Sequence, residues 1–167
     1  VAVVDPLYTI PLLLSLIITA FIIRTKKMRR VVNYLGLALS TLYLVFTVYN
    51  KGRVHNIFEN EFKAQNIEVT RMMTSPTIFN NILWSCTAEA NDAYYVGLYS
   101  FYDTVPVKFS KIEKQHTLIQ NIDSDHTITS LRWFSDNYFC IEKVDGKLFF
   151  NDLRFGAYFD KEGNNTD

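Results

Sequence analysis

Two apolar runs, Leu7 to Ile23 and Val31 to Tyr49, open the chain, and the stretch between them, Arg24-Thr25-Lys26-Lys27-Met28-Arg29-Arg30, holds five positive charges in seven residues. A helix needs about 20 apolar residues to cross roughly 30 Å of hydrocarbon. The second run meets that length. The first is slightly short, with Val1 to Val4 available to extend it. Short cytoplasmic loops retain Lys and Arg during insertion, so residues 1–50 are expected to form a transmembrane hairpin of two helices with a cytoplasmic loop at 24–30. Asp5 and everything after Asn50 then share the opposite compartment, the periplasm or cell exterior. A buried hairpin in a soluble core is the alternative, against which stand the length of the runs and the gathering of charge between them.

Asp5 followed by Pro6 reads as an N-cap and a first helical position, because proline lacks an amide that would be unpaired there anyway. Pro11 falls inside the first helix. It removes a backbone hydrogen bond, which a membrane tolerates only where neighbouring protein or a hydroxyl satisfies the freed carbonyl. Further helices alongside are therefore expected. The chain opens on Val1, with no charged segment before the apolar run; this is unlike a signal peptide and reads as the interior of a longer protein.

A net charge of zero and a mean hydropathy of +0.02 average over a membrane part and a soluble part, and so say little about partners. Residues 51–160 are enough for one domain with its own core, and 161–167 read as a flexible tail. After the basic loop the positive charges are scattered and no nucleic-acid-binding spacing occurs, so no nucleic acid partner is expected.

Val54, Phe58 and Phe62 recur every four residues between Lys51 and Gln65, the apolar stripe of an amphipathic helix that continues the second span. Ile67 to Met73 reads as a strand, with a turn at Ser75-Pro76. From Ile82 to Ala90 the pattern alternates, placing Trp84, Cys86 and Ala88 on one face. Ala93 to Phe101 is apolar on both faces, as a central strand covered on each side should be. Lys111 to Ser135 is polar loop with short helical character, its apolar side drawn from Ile128, Leu131 and Trp133 or Phe134. Asp145-Gly146 between two β-prone runs, Tyr138 to Val144 and Lys147 to Asn151, signals a hairpin, and Leu153 to Phe159 suits a further strand. The expectation is a small α+β domain with a mostly antiparallel sheet of about five strands and one or two helices on a face.

Chemistry is sparse. His55, His116 and His126 show no metal-ligand spacing, and Asp123, Asp125 and His126 read as a polar loop. Cys86 and Cys140 both lie in expected strands, as buried free thiols or as a pair if the fold brings them within about 7 Å. Phe58, Trp84 and Trp133 are suited to a bilayer interface. Asn151 and Asp152 can set a corner after the hairpin. Arg154, flanked by Leu153 and Phe155, either forms a corner ion pair with Asp152, Asp103 or Glu89, or grips an anionic substrate group.

Four segments, Val4-Asp5-Pro6-Leu7-Tyr8-Thr9-Ile10-Pro11-Leu12, Asn81-Ile82-Leu83-Trp84-Ser85, Tyr99-Ser100-Phe101-Tyr102-Asp103 and Phe150-Asn151-Asp152-Leu153-Arg154-Phe155-Gly156, together resemble, in order, the C-terminal half of the bacterial membrane-bound, metal-dependent hydrolases of the YdjM-like family. The resemblance implies a longer inner-membrane protein whose upstream transmembrane helices hold a divalent metal such as zinc. The family's metal-binding motifs do not occur in this chain, so no metal ligand carries over. It further implies an accessory role beside a hydrolase acting on phosphodiester or lipid-type substrates, with the bilayer and those upstream helices as partners and Asp5, Trp84, Asn151, Asp152 and Arg154 as substrate or structural candidates. A non-catalytic, membrane-anchored binding or scaffold module of the cell envelope is the alternative.

Overall fold

The computed structural model describes residues 5–77, 81–122 and 125–155. The expectations for residues 1–4, Asp123, residues 156–159 of a last strand and the tail 161–167 lie outside them. The chain forms two compact units, Val1–Ile57 with Ser75–Trp84, and Phe58–Thr74 with Ser85–Asp167.

In the first unit, α1 (Pro6–Ile17) starts on Asp5, whose side chain accepts from the Leu7 amide at 3.1 Å, and continues past Pro11, which lies inside it. It ends in a π-helical turn, Ile18–Ile22. Twelve α-helical and five π-helical residues give a rod of roughly 25 Å at 1.5 Å per residue, short of the roughly 30 Å of a hydrocarbon core. Of the two expected spans, the first, already slightly short in the sequence, is corrected here. Among the described residues one helix, α2 (Lys26–Ala64, 39 residues), is long and apolar enough to cross a membrane, and Pro6–Ile22 is a shorter apolar helix.

The expected loop at 24–30 is also shorter, since Lys26 to Arg30 already lie in the first turns of α2. Cations at a helix N-terminus oppose its dipole by a few tenths of a kcal/mol each. Arg29 recovers part of that by donating Nε to the Thr19 carbonyl at 2.9 Å, and Thr19 Oγ1 donates to Asn33 Oδ1 at 2.8 Å, tying the two helices together beside the bend.

Within the first unit, between Lys26 and Ile57, the buried positions of α2 are Gly36, Ser40, Thr47, Asn50 and Val54, with half-buried Tyr43 completing a spacing of four and three; Phe58 and Phe62, buried further along the same helix, belong to the second unit. Large apolar residues of the same helix, Leu35, Leu39, Leu42, Phe46 and Val48, face outward. Small and polar inside with bulky apolar outside is the inverse of a soluble helix and matches helices packed in lipid. Gly36 has a steric reason: a Cβ there would lie 2.4 Å from the Ser15 Cβ and 3.3 Å from the Pro11 carbonyl oxygen.

The strands are β1 (Arg71–Pro76), β2 (Leu83–Glu89), β3 (Ala93–Ser100) and β4 (Phe109–Glu113) in one sheet of that order, and β5 (Phe139–Val144) with β6 (Lys147–Asp152) in a second. β3 and β4 pair antiparallel with Tyr94 opposite Ile112, and β5 and β6 with Cys140 opposite Asn151. Within the second unit β3 is covered on both faces. Tyr94, Val96 and Ile112 pack with Tyr138, Cys140 and Leu153 on one side. Phe109, on the other face, stacks at 4.1 Å on Phe62 from the last turns of α2. Gly97 lets Phe109 approach, since a Cβ there would sit 2.7 Å from its ring.

The domain is thus α+β with antiparallel sheets, although among the described residues six strands in two sheets replace the single sheet of about five. Asp145 and Gly146 both have positive φ, 49° and 79°, the primed turn that an Asp-Gly pair favours. Three local readings change. Ser75-Pro76 closes β1 instead of turning, because Thr77 pairs with Leu83 across the sheet (2.9 Å) and extends the ladder. β4 occupies part of the expected loop, followed by a 3₁₀ helix (His116–Ile122) and α3 (His126–Phe134). Leu153–Phe155 forms a 3₁₀ turn instead of opening a strand: the Leu153 amide bonds the Tyr138 carbonyl, and Asp152 caps the Arg154 amide.

Candidate functional site

The most unusual chemistry of the first unit is a buried polar seam between α1 and α2. Asp5 is 4% exposed. Its carboxylate accepts from the Leu7 amide and, at 2.8 Å, from the Tyr43 hydroxyl. Tyr43 in turn accepts from Asn81 Nδ2 at 3.3 Å. Asn81 is 8% exposed, and among the described residues its Oδ1 has no hydrogen-bond partner. One turn along, Ser40 donates to the Tyr8 carbonyl at 3.0 Å, which fixes the register of the two helices.

Trp84 sits at the base of this network, fully buried, donating Nε1 to the Asn81 carbonyl at 3.0 Å. The segments around Asp5 and Asn81, 76 positions apart in the chain, therefore meet through Tyr43. Sequence reasoning singled out Asp5 and Trp84 but missed Tyr43 and Asn81. The available signal was the polar stripe Ser40, Tyr43, Thr47, Asn50 inside an otherwise apolar run, spaced three, four and three residues apart.

A second polar cluster lies in the other unit. Glu89 accepts from the Arg71 guanidinium and, at 2.7 Å, from Lys114. Arg71 lies over the Tyr138 ring at 4.1 Å and Lys114 over Tyr94 at 5.2 Å. Burial pushes the Glu89 carboxyl up, but the hydrogen bonds from Lys114 and Arg71 outweigh it and hold the group below the usual carboxylate range. A carboxylate held ionised between two cations is a poor proton acceptor, so this cluster ties β1 and β2 to Lys114 beyond β4. Burial, with the charge of Glu89, drives the Tyr94 hydroxyl up to about 12.

Arg154 is paired with Asp152, donating Nε at 3.0 Å and Nη2 at 2.7 Å, and its guanidinium lies 4.8 Å from the centre of the Phe134 ring. Asn151 donates to Glu142 across the hairpin at 3.0 Å. These three candidates form a corner on β6, while Asp5 and Trp84 belong to the other unit. Phe58 and Trp84 are fully buried and so are core residues and not interface aromatics; Trp133, 82% exposed, faces outward. α3 is nine residues long and turns Ile128 inward against Phe139 and Ile141. Trp133, in its last turn, lies on the face turned away from that cluster.

His116 Nε2 bonds the Phe139 carbonyl at 2.9 Å and stacks on the Phe139 ring, and burial lowers its pKa. Cys86 and Cys140 are buried free thiols; burial pushes Cys86 up to about 12 and raises Cys140. Among the described residues no group of three or more His, Cys, Asp or Glu is arranged to hold a metal ion. A groove of about 320 Å³ beside β3, lined by Val96, Leu98, Val105, Lys108 and Ser110, places no such group either. No protein-family model matches this chain, and no curated protein or solved structure matches it.

Proposed function

We propose that this chain is the C-terminal accessory portion of an inner-membrane, metal-dependent hydrolase of the YdjM-like type, acting on phosphodiester or lipid-type substrates. The supporting observation is the Asp5–Tyr43–Asn81–Trp84 network. It joins two of the segments that carry the resemblance, and it lies between helices whose bulky residues face outward as lipid-packed helices do. In this reading α2 crosses the bilayer with its basic end cytoplasmic, α1 packs beside it, and the α+β domain is extracytoplasmic. The described residues do not present a metal-ligand set. No step through a metal is therefore assigned to this chain, whose part is to complete the helical bundle and cover the site on its outer face.

The test is made on the full-length protein. Elemental analysis should find a stoichiometric divalent metal, and bis(p-nitrophenyl) phosphate should be hydrolysed in a metal-dependent manner. A phosphatase reporter fused after Asp167 should be active outside the cytoplasm. Full-length protein with neither metal nor hydrolysis refutes the hydrolase reading. The second reading, a membrane-anchored binding or scaffold module, is favoured by the exposed aromatic pair Trp133 and Phe134 at the end of α3.

A further inference from the structure

The Asp5 carboxylate is buried, and among the described residues no cationic group pairs with it. Its two hydrogen-bond donors are neutral, an amide and a phenol. Next to them Asn81 Oδ1 is a buried acceptor without a donor among the described residues. The network therefore runs from Asn81 through Tyr43 to Asp5, with negative charge at one end and an open acceptor at the other. Both ask for the same thing, a positively charged hydrogen-bond donor.

Position adds a second argument. Asp5 meets α2 at Tyr43, six residues before Tyr49 closes the apolar run. At 1.5 Å per residue that is about 9 Å inside the outer end of the span. An ionised carboxylate at that depth is costly unless paired, and such residues face protein or water and not lipid. Pro11 removes the amide that would bond the Leu7 carbonyl.

We propose that Asp5, Tyr43 and Asn81 form one half of a docking site whose occupant is an arginine or lysine side chain on a neighbouring membrane helix of the same protein. This rests on the membrane reading above and names what the upstream helices bring to this chain. A metal ion fits less well, because the Tyr43 hydroxyl and the Leu7 amide point hydrogens at the Asp5 carboxylate. A lipid ammonium group belongs to the headgroup layer, beyond the depth at which Asp5 lies.

The experiment uses full-length protein in membranes and reads its melting temperature, a quantity independent of hydrolysis, so the docking site can fail while the hydrolase reading stands, and the reverse. Asp5→Asn keeps a side chain that caps helices as well as aspartate does, but it removes the charge. It should lower the melting temperature by about 5 °C or more, because the partner cation is left buried and unpaired. Changing the intramembrane Arg and Lys residues of the upstream helices to Met one at a time, in the Asp5→Asn background, should identify one that restores the melting temperature. An unchanged melting temperature in Asp5→Asn reduces Asp5 to a helix cap and overturns the proposal. So does failure of every upstream substitution to restore stability. A defect confined to vesicles containing phosphatidylethanolamine, absent in phosphatidylglycerol, overturns it in favour of a lipid ammonium.

Discussion

Replacing Gly36 with alanine should separate the two helices of the first unit. The new Cβ would lie 2.4 Å from the Ser15 Cβ and 2.3 Å from its hydroxyl oxygen. Carbon atoms in contact sit about 3.5–4.0 Å apart, so the helices must move by roughly 1 Å or more. A Cβ cannot rotate away from a Cβ, which removes the usual escape by rotamer change. The Ser15 hydroxyl is moreover held by the Leu12 carbonyl at 2.8 Å. The movement would stretch Ser40 to Tyr8 (3.0 Å) and Tyr43 to Asp5 (2.8 Å), the two bonds that set the register. Overpacking of this kind costs typically about 1–3 kcal/mol.

Equilibrium unfolding of the detergent-solubilised protein, followed by circular dichroism, measures the loss. Ser15→Gly in the Gly36→Ala background should restore most of it, since it removes the atom that is struck. If Gly36→Ala is as stable as the parent, or if Ser15→Gly makes it worse, the close approach of α1 and α2 is not as described.

Glu89→Gln should destabilise the second unit by about 1–2 kcal/mol, less than the roughly 3–5 kcal/mol for one partner of a fully buried pair, because Glu89, Lys114 and Arg71 keep 19%, 15% and 36% of their side-chain surface in water. With its folded-state pKa below the ordinary 4.5, Glu89 adds stability above that value that is lost as pH falls through the folded pKa; urea midpoints from pH 7 down to 3 should show that loss in the parent and a smaller one in Glu89→Gln. Arg154→Lys should cost about 1 kcal/mol by replacing the two-pronged bond to Asp152 and the contact with Phe134; lost hydrolysis or lipid binding in full-length protein with unchanged stability would instead make Arg154 a ligand residue. Cys86 and Cys140 should resist maleimide at pH 8 until urea unfolds the domain, and rapid native labelling of Cys86 would contradict its burial.

Wherever neighbours in the chain are also the partners in the structure, the sequence by itself determined the outcome. Asp145-Gly146 dictates its own turn through the φ angles it tolerates, the stripe Val54, Phe58, Phe62 dictates a helix face, and Asp5-Pro6 starts α1, since each signal lies within one or two turns of chain. The α+β class and an apolar α2 follow from the same local periods. Tertiary structure decided the rest, because its determinants lie far apart. Phe109 and Ile112 face opposite sides of β4, so no one-sided alternation marked that strand, and only the layers on either side explain it. Trp133, which the sequence offered for the apolar side of this stretch or for a bilayer interface, is exposed, because packing of Ile128 on the Phe139 and Ile141 cluster decides which face of α3 is covered. The seam of Asp5, Tyr43 and Asn81 and the cluster of Arg71, Glu89 and Lys114 each draw on three separate segments, and hydrogen bonds and charges gain their strength from burial that no local pattern encodes.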